Sequence, residues 1–261
     1  MKKNPFFSIL SASLNNGSSI RQTIESIRCQ TFQSLEHIVI DGKSQDTTCD
    51  ILREYENTYK LCWLSEPDKG IADALNKGLK KSRGKYIVVI QADDYLLNPN
   101  ILKKVHTLLK NEKNDIISFP VVLNHPVKGK SLRKPIRFLW WNHFKFIFLH
   151  QGCFVHRRMF ERIGGFRNEF KIGMDYDFFY RTLAGQVAVK FGNFPVSLMG
   201  GAGVGSDTRF IIKRLSEEKL VQMRNEQNPG WKIAQFLFRW LYMHYKKFRL
   251  RSIMADKFEA D

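Results

Sequence analysis

Over the first 120 residues, short apolar runs alternate with segments in which apolar positions recur every three to four residues. The runs predict strands at 6–13, 36–40, 61–64, 86–90 and 116–122. The segments between them predict helices, with Ser19 to Gln22 as a capping box for the first, Asp46 as the cap of the second, and later helices at 71–82 and from 101. This alternation indicates βαβ units and an α/β fold with a mostly parallel central sheet flanked by helices.

The second half of the chain is less regular. A basic and aromatic stretch at 124–149 is interpreted as a loop or lid with a short helix. Regular structure is predicted to return at 151–156 and in a helix at 174–183. A glycine-rich segment at 200–205 precedes a polar helix at 210–225, and the aromatic, basic segment 231–254 also has apolar residues at helical spacing.

Charge and cysteine content narrow the class of protein. The 261 residues include 42 Lys and Arg against 25 Asp and Glu, a net charge of +17, which points to nucleic acid, nucleotide phosphates or an acidic membrane surface. The hydrophobic content of 43% excludes a disordered or collagen-like chain.

Four scattered cysteines without a C-x-x-C pair are expected to be free, buried thiols. Because no signal-peptide core or membrane-spanning run is found, we expect a cytoplasmic protein.

Carboxylates follow the predicted strands at the points where the strands end. Asp41, Glu66, Asp93 and Asp94 all occupy such positions, and the ligand crevice of an open α/β sheet lies beyond the carboxyl ends of its strands. The adjacent carboxylates of Asp93 and Asp94 would repel each other unless a cation or hydrogen-bond donors compensate. One interpretation is a divalent ion held by one or two carboxylates and substrate phosphates. The other is a solvated turn before the helix near Asn100.

Several ordered motifs resemble those of the inverting GT-A glycosyltransferases of family 2, over roughly residues 5–205. They are Ser-Ile-Leu-Ser-Ala-Ser-Leu-Asn-Asn at 8–16, Val-Ile-Asp-Gly-Lys-Ser-Gln-Asp-Thr at 39–47, Ser-Glu-Pro-Asp-Lys-Gly-Ile-Ala-Asp-Ala-Leu-Asn-Lys-Gly at 65–78, Gln-Ala-Asp-Asp at 91–94, His-Gln-Gly-Cys-Phe-Val at 150–155, Gly-Gly-Phe at 164–166 and Met-Asp-Tyr-Asp at 174–177. The resemblance implies a GT-A domain at 1–205, with a nucleotide-sugar half at about 1–123 and an acceptor half at about 124–205. A basic, aromatic helical tail would follow at 206–261.

The resemblance also implies a set of site residues. The donor nucleotide sugar would be bound by residues from the first 100 positions, namely Ser11, Asn15, Asp41, Asp68, Asp73, Asn76, Lys77 and Asp93. Within this set, Asp41 would accept a hydrogen bond from the base, typically uracil. Asp94 would bind a divalent metal, Mn²⁺ or Mg²⁺, and Asp175 would act as the catalytic base, with Asp177 as the alternative base.

Two positions depart from the family pattern, and the roles of His150, the glycine-rich loop and the cations after it each allow two interpretations. Met174 replaces the acidic residue that usually precedes the base, and Ala72 stands where many relatives have tyrosine, which is expected to loosen or reshape the donor sugar pocket. His150 contacts phosphate or acceptor, or is a structural histidine. The loop from Gly200 to Gly205 is a lid over phosphates or a flexible turn. The cations that follow this loop either reach the diphosphate or are solvated, namely Arg209, Lys213 and Arg214.

The implied activity is the inverting, metal-dependent transfer of a hexose, with glucose or galactose favoured, from a UDP-sugar to an N-acetylhexosamine-diphosphate-undecaprenol. Such a step belongs to bacterial surface-polysaccharide assembly (O-antigen or capsule), and other donor or acceptor sugars stay open. A sugar nucleotidyltransferase would show a glycine-rich basic loop after the first strand, which 13–17 lacks. A nucleic-acid-binding module would explain the charge but not the carboxylates at strand ends, so we expect no nucleic-acid partner.

The segment 231–254 suggests a second partner. It mixes six Lys or Arg with the apolar residues Trp231, Phe236, Leu237, Trp240, Leu241 and Tyr245. A basic helix with aromatic residues on its apolar side lies in a membrane interface, so we expect peripheral association with the anionic cytoplasmic face of the inner membrane. The alternative is that the aromatic residues pack on the catalytic domain while the cations are solvated.

Overall fold

The computed structural model describes residues 4–111, 113–125, 129–200 and 211–258, without the side chains of 211, 243 and 246–258. The strands in these ranges are β1 (Phe7–Ser13), β2 (Leu35–Asp41), β3 (Leu61–Ser65), β4 (Tyr86–Val89), β5 (Tyr95–Leu96), β6 (Ile116–Ser118), β7 (Val121–His125), β8 (Gly129–Arg133), β9 (Cys153–His156), β10 (Val189–Phe191) and β11 (Ser197–Met199). The helices are α1 (Ile20–Arg28), α2 (Thr48–Glu54), α3 (Ile71–Lys81), α4 (Ile101–Leu109), α5 (Arg157–Ile163), α6 (Met174–Leu183), α7 (Ile211–Asn225) and α8 (Pro229–Phe258). Two 3₁₀ turns lie at Leu139–His143 and His150–Gly152.

The main sheet has seven strands in the order β10-β6-β9-β4-β1-β2-β3. Strands β4, β1, β2 and β3 are parallel, as are β6 and β10, whereas β9 runs antiparallel to both of its neighbours. The predicted α/β fold with a mostly parallel sheet is therefore confirmed. A second sheet joins the smaller strands in the order β5-β11-β7-β8.

Helices cover both faces of the main sheet, and successive residues of β1 show why. Phe7 and Ile9 pack with α4, whereas Leu10 packs with α3 and α6 on the opposite face. Strands β1 and β2 are buried along nearly their whole length, as expected when both faces of a parallel sheet are covered. The apolar runs of the sequence thus become the central layer of the fold.

The predicted strand 116–122 is wrong, because the structure divides it into β6 and β7, which belong to different sheets. Pro120 lies between them and has no N–H to continue a ladder. Phe119 instead bonds through its backbone N–H to the Gly152 carbonyl at 2.9 Å. The interpreted loop at 124–149 accordingly contains the end of β7 and all of β8, besides the expected short helix.

Three local predictions also need correction. Helix α1 begins at Ile20 as predicted, but Ser19 makes no side-chain cap and its hydroxyl donates back to the Asn16 carbonyl. The predicted cap at Asp46 is displaced by one residue, because Thr47 is the N-cap of α2, although the Asp46 carboxylate accepts the backbone N–H of Thr48 at 3.0 Å. All four cysteines lie in the described ranges and are free, but only Cys153 is buried. Cys29 follows the last turn of α1 and Cys62 lies on edge strand β3, so both are exposed.

The C-terminal helices complete the described part of the chain. Helix α7 packs on α6, and α8 follows it after a short connection. In the described ranges, no helix combines the length and the hydropathy that crossing a membrane requires.

Candidate active site

The carboxylates predicted at strand ends meet at one edge of the main sheet. Ser13 of β1 lies opposite Asp41 of β2, which lies opposite Ser65 of β3, so these three strands end at the same level. Glu66 directly follows β3, and Asp93 follows β4 after three residues. This edge is where an open α/β sheet forms its ligand crevice.

Asp41 forms the floor of the crevice between β2 and β3. Its carboxylate is fully buried and accepts hydrogen bonds from the Ser44 backbone N–H at 2.9 Å, the Ser44 hydroxyl at 2.5 Å and the Ser65 hydroxyl at 2.7 Å. Of these three hydrogen bonds, Oδ1 accepts only the one from the Ser44 hydroxyl. Because a carboxylate oxygen can accept two hydrogen bonds, Oδ1 can accept one more. Asn15, with φ +53°, is exposed nearby and accepts the Gln45 backbone N–H at 2.9 Å. Contact of either residue with a nucleotide stays a prediction.

Ser11 lies deeper in the sheet than its predicted role requires. Its hydroxyl is buried, donates to the Ile90 carbonyl at 2.5 Å and lies 2.9 Å from Nε2 of His37. Nδ1 of His37 in turn lies 2.6 Å from the Tyr59 hydroxyl. Burial lowers the pKa of His37 to about 3, so the ring is neutral. In the structure Ser11 links β1 to its neighbours, and a role in the nucleotide pocket stays a prediction.

A charged cluster surrounds the start of α3. Asp68 accepts the backbone N–H of Gly70, which has φ +115°, and Asp73 accepts the backbone N–H of Lys69. The Lys77 ammonium lies 2.9 Å from the Glu66 carboxylate and 3.5 Å from that of Asp73. The structure thus brings Asp68, Asp73 and Lys77 together near the end of β3, and their contact with the donor stays a prediction.

Asn76 and Ala72 face the inside of the molecule instead. The Asn76 amide donates to the Phe166 carbonyl at 2.7 Å and accepts the Phe166 N–H at 2.9 Å. A Cβ on Gly165 would lie only 2.2 Å from Asn76 Oδ1, so glycine is required there. Asn76 therefore fixes the turn that follows α5, and its contact with ribose or sugar stays a prediction. Ala72 is buried in the core beside these residues.

The Asp93-Asp94 pair lies at the end of β4 against Gly200. Asp94 is almost fully buried and accepts the Gly200 N–H at 2.8 Å and the Gln91 N–H at 3.3 Å. A Cβ on Gly200 would lie 2.6 Å from an Asp93 carboxylate oxygen, so only glycine allows this approach. Burial, and then the charge of Asp93, raise the pKa of Asp94 to about 6. A bound cation would relieve both effects.

The donor atoms at this pair fit a hard divalent ion. Within the described ranges, no three His, Cys, Asp or Glu side chains come together as a complete metal site. Ions such as Mg²⁺ are commonly bound by one or two carboxylates, with substrate phosphates and water as the other ligands. Asp94, with Asp93 beside it, supplies that number of oxygen ligands at the edge where a nucleotide diphosphate would lie.

Asp175 lies in the first turn of α6, where the helix dipole favours a negative charge. Its Oδ1 accepts the Tyr176 N–H at 2.8 Å, and its Oδ2 lies 3.3 Å from Nδ1 of His150. Burial alone would lower the pKa of His150, but the hydrogen bond to Asp175 and the charges of Asp175, Asp94 and Asp93 raise it. Nε2 of His150 is buried without a hydrogen-bond partner among the described residues. His150 is therefore not a satisfied structural histidine, and it links Asp175 electrostatically to the carboxylates of β4.

Asp177 has a different environment although it is only two residues away. It is fully buried and bonded to Arg167 at 3.0 Å, Arg181 at 2.9 Å and Asn225 at 2.9 Å. Two guanidinium groups and an amide occupy both of its oxygens, so its contacts are those of a structural ion cluster. This placement favours Asp175 over Asp177 as the base.

Sequence reasoning missed the support that α7 gives to Asp175. One oxygen of Glu217 accepts the consecutive backbone N–H groups of Lys171, Ile172 and Gly173 at 3.0, 2.8 and 2.8 Å. These residues lead directly into α6. Glu217 shares a helical face with Val221, Gln222 and Asn225, all at least half-buried, and this spacing was the sequence signal that could have identified it.

The remaining candidates follow Gly200 in the sequence. Lys213 is exposed, whereas residues 201–205 of the glycine-rich loop and Arg209 lie outside the described residues.

Comparison with known proteins adds independent information. The family model for glycosyl transferase family 2 matches residues 8–170, more than half of the chain. The PGL/p-HBAD biosynthesis glycosyltransferase of Mycobacterium bovis is 27% identical over 195 residues, which cover 71% of this chain and 72% of that protein. The Escherichia coli UDP-Glc:alpha-D-GlcNAc-diphosphoundecaprenol beta-1,3-glucosyltransferase WfaP is 34% identical over 106 residues, covering 41% and 42% of the two chains.

Solved structures share the fold at lower identity. Residues 1–349 of TarS from S. aureus, in complex with UDP-GlcNAc, superpose with a TM-score of 0.69 at 16% identity, covering 86% of this chain and 68% of that one. The mannosyltransferase PcManGT from Pyrobaculum calidifontis, in complex with GDP-Man and Mn²⁺, gives a TM-score of 0.68 at 18% identity, with 91% and 70% covered. These likenesses show the fold, which is the GT-A fold that the motifs implied.

Proposed function

The chain belongs to glycosyl transferase family 2, and from this premise we propose that it moves a hexose from a UDP-sugar to an N-acetylhexosamine carried on undecaprenyl diphosphate. Glucose and galactose are the favoured donor sugars, and the step belongs to bacterial surface-polysaccharide assembly. One observation carries the proposal: His150 lies 3.3 Å from the Asp175 carboxylate and is close enough to Asp93 and Asp94 for their charges to act on it. This arrangement provides a base for an acceptor hydroxyl beside a place for a departing diphosphate.

The proposed reaction is a single displacement at the anomeric carbon. Asp175 takes the proton of the acceptor hydroxyl, and the acceptor oxygen forms a bond to the anomeric carbon as the bond to the nucleotide diphosphate breaks. Attack from the face opposite the leaving group inverts the configuration, so an α-linked donor gives a β-linked product. A positioned general base contributes about 10²- to 10⁴-fold to such a step.

Two neighbours prepare Asp175 for this role. The Tyr176 backbone N–H donates to Oδ1 of Asp175 at 2.8 Å, and Nδ1 of His150 lies 3.3 Å from Oδ2. Because Nε2 of His150 is buried and has no partner in the described part of the chain, we assign it to a substrate oxygen. Loss of His150 would then disturb both the base and the substrate contact.

A divalent ion would be held at this edge by Asp94, with Asp93 beside it. When bound, such an ion supplies Lewis-acid stabilisation for the negative charge that develops on the leaving diphosphate. The chain's own contribution is to hold Asp94 in place through the Gly200 and Gln91 N–H groups and to exclude water from it. The donor nucleotide would lie over Asp41, with Asp68, Asp73 and Lys77 along its sugar side.

The choice of substrates is supported by similarity and by charge. WfaP, 34% identical over 106 residues, is named for UDP-glucose as donor and a GlcNAc-diphosphoundecaprenol as acceptor. The net charge of +17 suits substrates that each carry a diphosphate. Charge supports equally a different hexose on the donor or a different N-acetylhexosamine on the acceptor.

A donor screen tests the proposal directly. UDP-glucose, UDP-galactose and UDP-N-acetylglucosamine would each be incubated with a short-chain lipid-diphosphate N-acetylhexosamine and Mn²⁺ or Mg²⁺, and the product would be weighed by mass spectrometry. We expect the acceptor to gain one hexose from UDP-glucose or UDP-galactose. If this acceptor gains no sugar, while a sugar without the diphosphate is glycosylated, the proposed acceptor class is wrong.

A further inference from the structure

Helix α8 presents an apolar surface to the outside of the molecule. Six large side chains between positions 233 and 245 are more than half exposed, namely Ile233, Phe236, Leu237, Trp240, Leu241 and Tyr245. They recur at intervals of three and four residues, which places them on one side of the helix. We call this set the outer face of α8.

The opposite side of α8 is already used for packing. The Trp231 ring stacks on His143 with 4.1 Å between centroids, and Phe238 contacts Trp141 and Phe144. Gln235, which is buried, donates to the His143 carbonyl at 3.0 Å. The inner side is thus fixed to the domain, so the outer face cannot turn inward to bury its apolar residues.

The distribution of apolar residues on α8 therefore differs from that of an ordinary surface helix. Such a helix puts its apolar stripe on the core and its polar side in water. Here the outward side has six large aromatic and aliphatic residues, and the side that touches the domain also includes Gln235 and Arg239, which bonds to Gln222 at 2.6 Å. Contiguous exposed apolar surface of this kind marks an interaction site.

Further apolar and aromatic surface adjoins the outer face. A groove of about 490 Å³ between α7 and α8 is lined partly by Leu215, Phe236 and Trp240. Trp141, which touches Phe238 of α8, also contacts Trp140, which is itself exposed. The apolar region is therefore wider than a single helix.

Charge identifies the occupant of this surface. Residues 229–255 include six Lys or Arg and no Asp or Glu. A helix with an aromatic apolar face and cationic flanks binds in the interface of an anionic bilayer, parallel to its surface.

We infer that the outer face of α8 inserts into the interfacial region of an anionic membrane. The inference deepens the proposed function, because it places the active site beside the bilayer that would hold a lipid-linked acceptor. It rests on exposure and charge, and vesicle binding can be measured without any sugar transfer. Failure of one therefore does not imply failure of the other.

The test is flotation of the full chain with vesicles of phosphatidylglycerol and phosphatidylethanolamine, and with vesicles of phosphatidylcholine alone. We expect binding to the anionic vesicles that weakens with added salt. The double variant Phe236→Ala with Trp240→Ala should bind at least about tenfold more weakly, since it loses the burial of two aromatic side chains. The matched control is Leu132→Ala on β8, because Leu132 is exposed to 51% and Trp240 to 55%; it should bind like the unchanged protein.

A second measurement reports insertion without weakening the helix. Lipids brominated near the headgroup should quench tryptophan emission of the unchanged protein, and Trp240→Phe should remove much of that quenching while retaining vesicle binding. Transfer to a short, water-soluble acceptor should be unaffected in the double variant, which separates docking from chemistry.

Three results would overturn the inference. The full chain would fail to bind anionic vesicles at low salt, or the double variant would bind as well as the unchanged protein. The third is a dimer in sedimentation experiments that Phe236→Ala with Trp240→Ala converts to a monomer, without a change in vesicle binding. In that case the outer face would be an interface between two copies of the chain.

Discussion

The carboxyl edge of the sheet and the C-terminal helix pair place polar and apolar residues in opposite ways. At the sheet edge, apolar strands are buried and the carboxylates of Asp41, Asp93 and Asp94 gather where the strands end. In the helix pair, α7 buries Glu217 against the protein, whereas α8 exposes an apolar outer face.

This difference shows how far the sequence predicts the position of a side chain in each region. The strand ends are brought together by backbone topology, so the position of a residue along its strand predicts its place in the site. On a helix the spacing predicts which residues share a face, but not which face meets the domain. The sheet edge should therefore respond to substitution mainly in activity, and the helix pair mainly in positioning, stability and docking.

The largest effect is expected at Asp94. Asp94→Ala removes the carboxylate that would hold the divalent ion, so transfer should fall to the background rate while the protein stays folded. A chelator should abolish transfer by the unchanged protein, and Mn²⁺ or Mg²⁺ should restore it there but not in the variant. Asp50→Ala on the exposed surface of α2 is the control and should keep full transfer. Full transfer in chelator would contradict the metal assignment.

The next effect distinguishes two carboxylates of α6. Asp175→Asn should lower kcat by roughly 10²- to 10⁴-fold with little change in the donor KM, because it removes the base but keeps the shape. Asp177→Asn should instead lower the free energy of unfolding by about 3–5 kcal/mol, since it leaves the Arg167 and Arg181 charges without their buried partner. Steady-state kinetics and urea unfolding of both variants measure this split. The reverse pattern would identify Asp177 as the base.

Substitution of Glu217 on helix α7 should reduce transfer less than substitution of Asp94 or Asp175. Glu217→Gln weakens three hydrogen bonds to the segment before α6 and should displace Asp175 slightly, so kcat should fall by about 10- to 100-fold at unchanged donor KM. Stability should fall by about 1–3 kcal/mol. The neighbouring Glu218→Gln, which loses only an ion pair with Lys145, is the control for both measurements. Equal kcat values for the two variants would remove the positioning role.

The last effect concerns stability alone, as a function of pH, and not transfer. The pKa of His37 is lowered from 6.5 to about 3 in the folded protein, so the unfolded chain binds a proton that the folded chain does not. Stability from this source is present above about pH 6.5 and is lost as the pH falls from there towards 3, by up to about 1.4 kcal/mol per pH unit. Urea unfolding at several pH values should show a shallower loss for His37→Gln than for the exposed control His244→Gln. Identical slopes for all three proteins would contradict the burial argument.

Much of the sheet edge could be predicted from sequence. Helix α6 was predicted at 174–183 and is found at Met174–Leu183, and the carboxylates at strand ends lie where βαβ topology brings them. The division of 116–122 was missed, although Pro120 was a visible reason for it. The bonds between the Asn76 amide and the Phe166 backbone were not predicted, and the contact of Asn76 with the donor stays a prediction.

The contacts that complete the site were less accessible to prediction. Glu217 bonds to backbone N–H groups 44 to 46 residues away, and His150 lies 25 residues from Asp175. Local patterns do not encode pairs at such separations. The apolar side of α8 was recognised as a membrane or packing surface, and only the three-dimensional structure shows that Trp231 packs inward while Trp240 faces outward.

Asp175 is proposed to drive a direct displacement at the sheet edge, and the configuration of the product is the sharpest test of this role. The full chain would transfer a sugar from its α-linked UDP donor to a lipid-diphosphate N-acetylhexosamine, and the anomeric proton of the new linkage would be read by NMR. We predict a β linkage, formed at a strongly reduced rate by Asp175→Asn. An α linkage, or an unchanged rate in Asp175→Asn, would contradict the account.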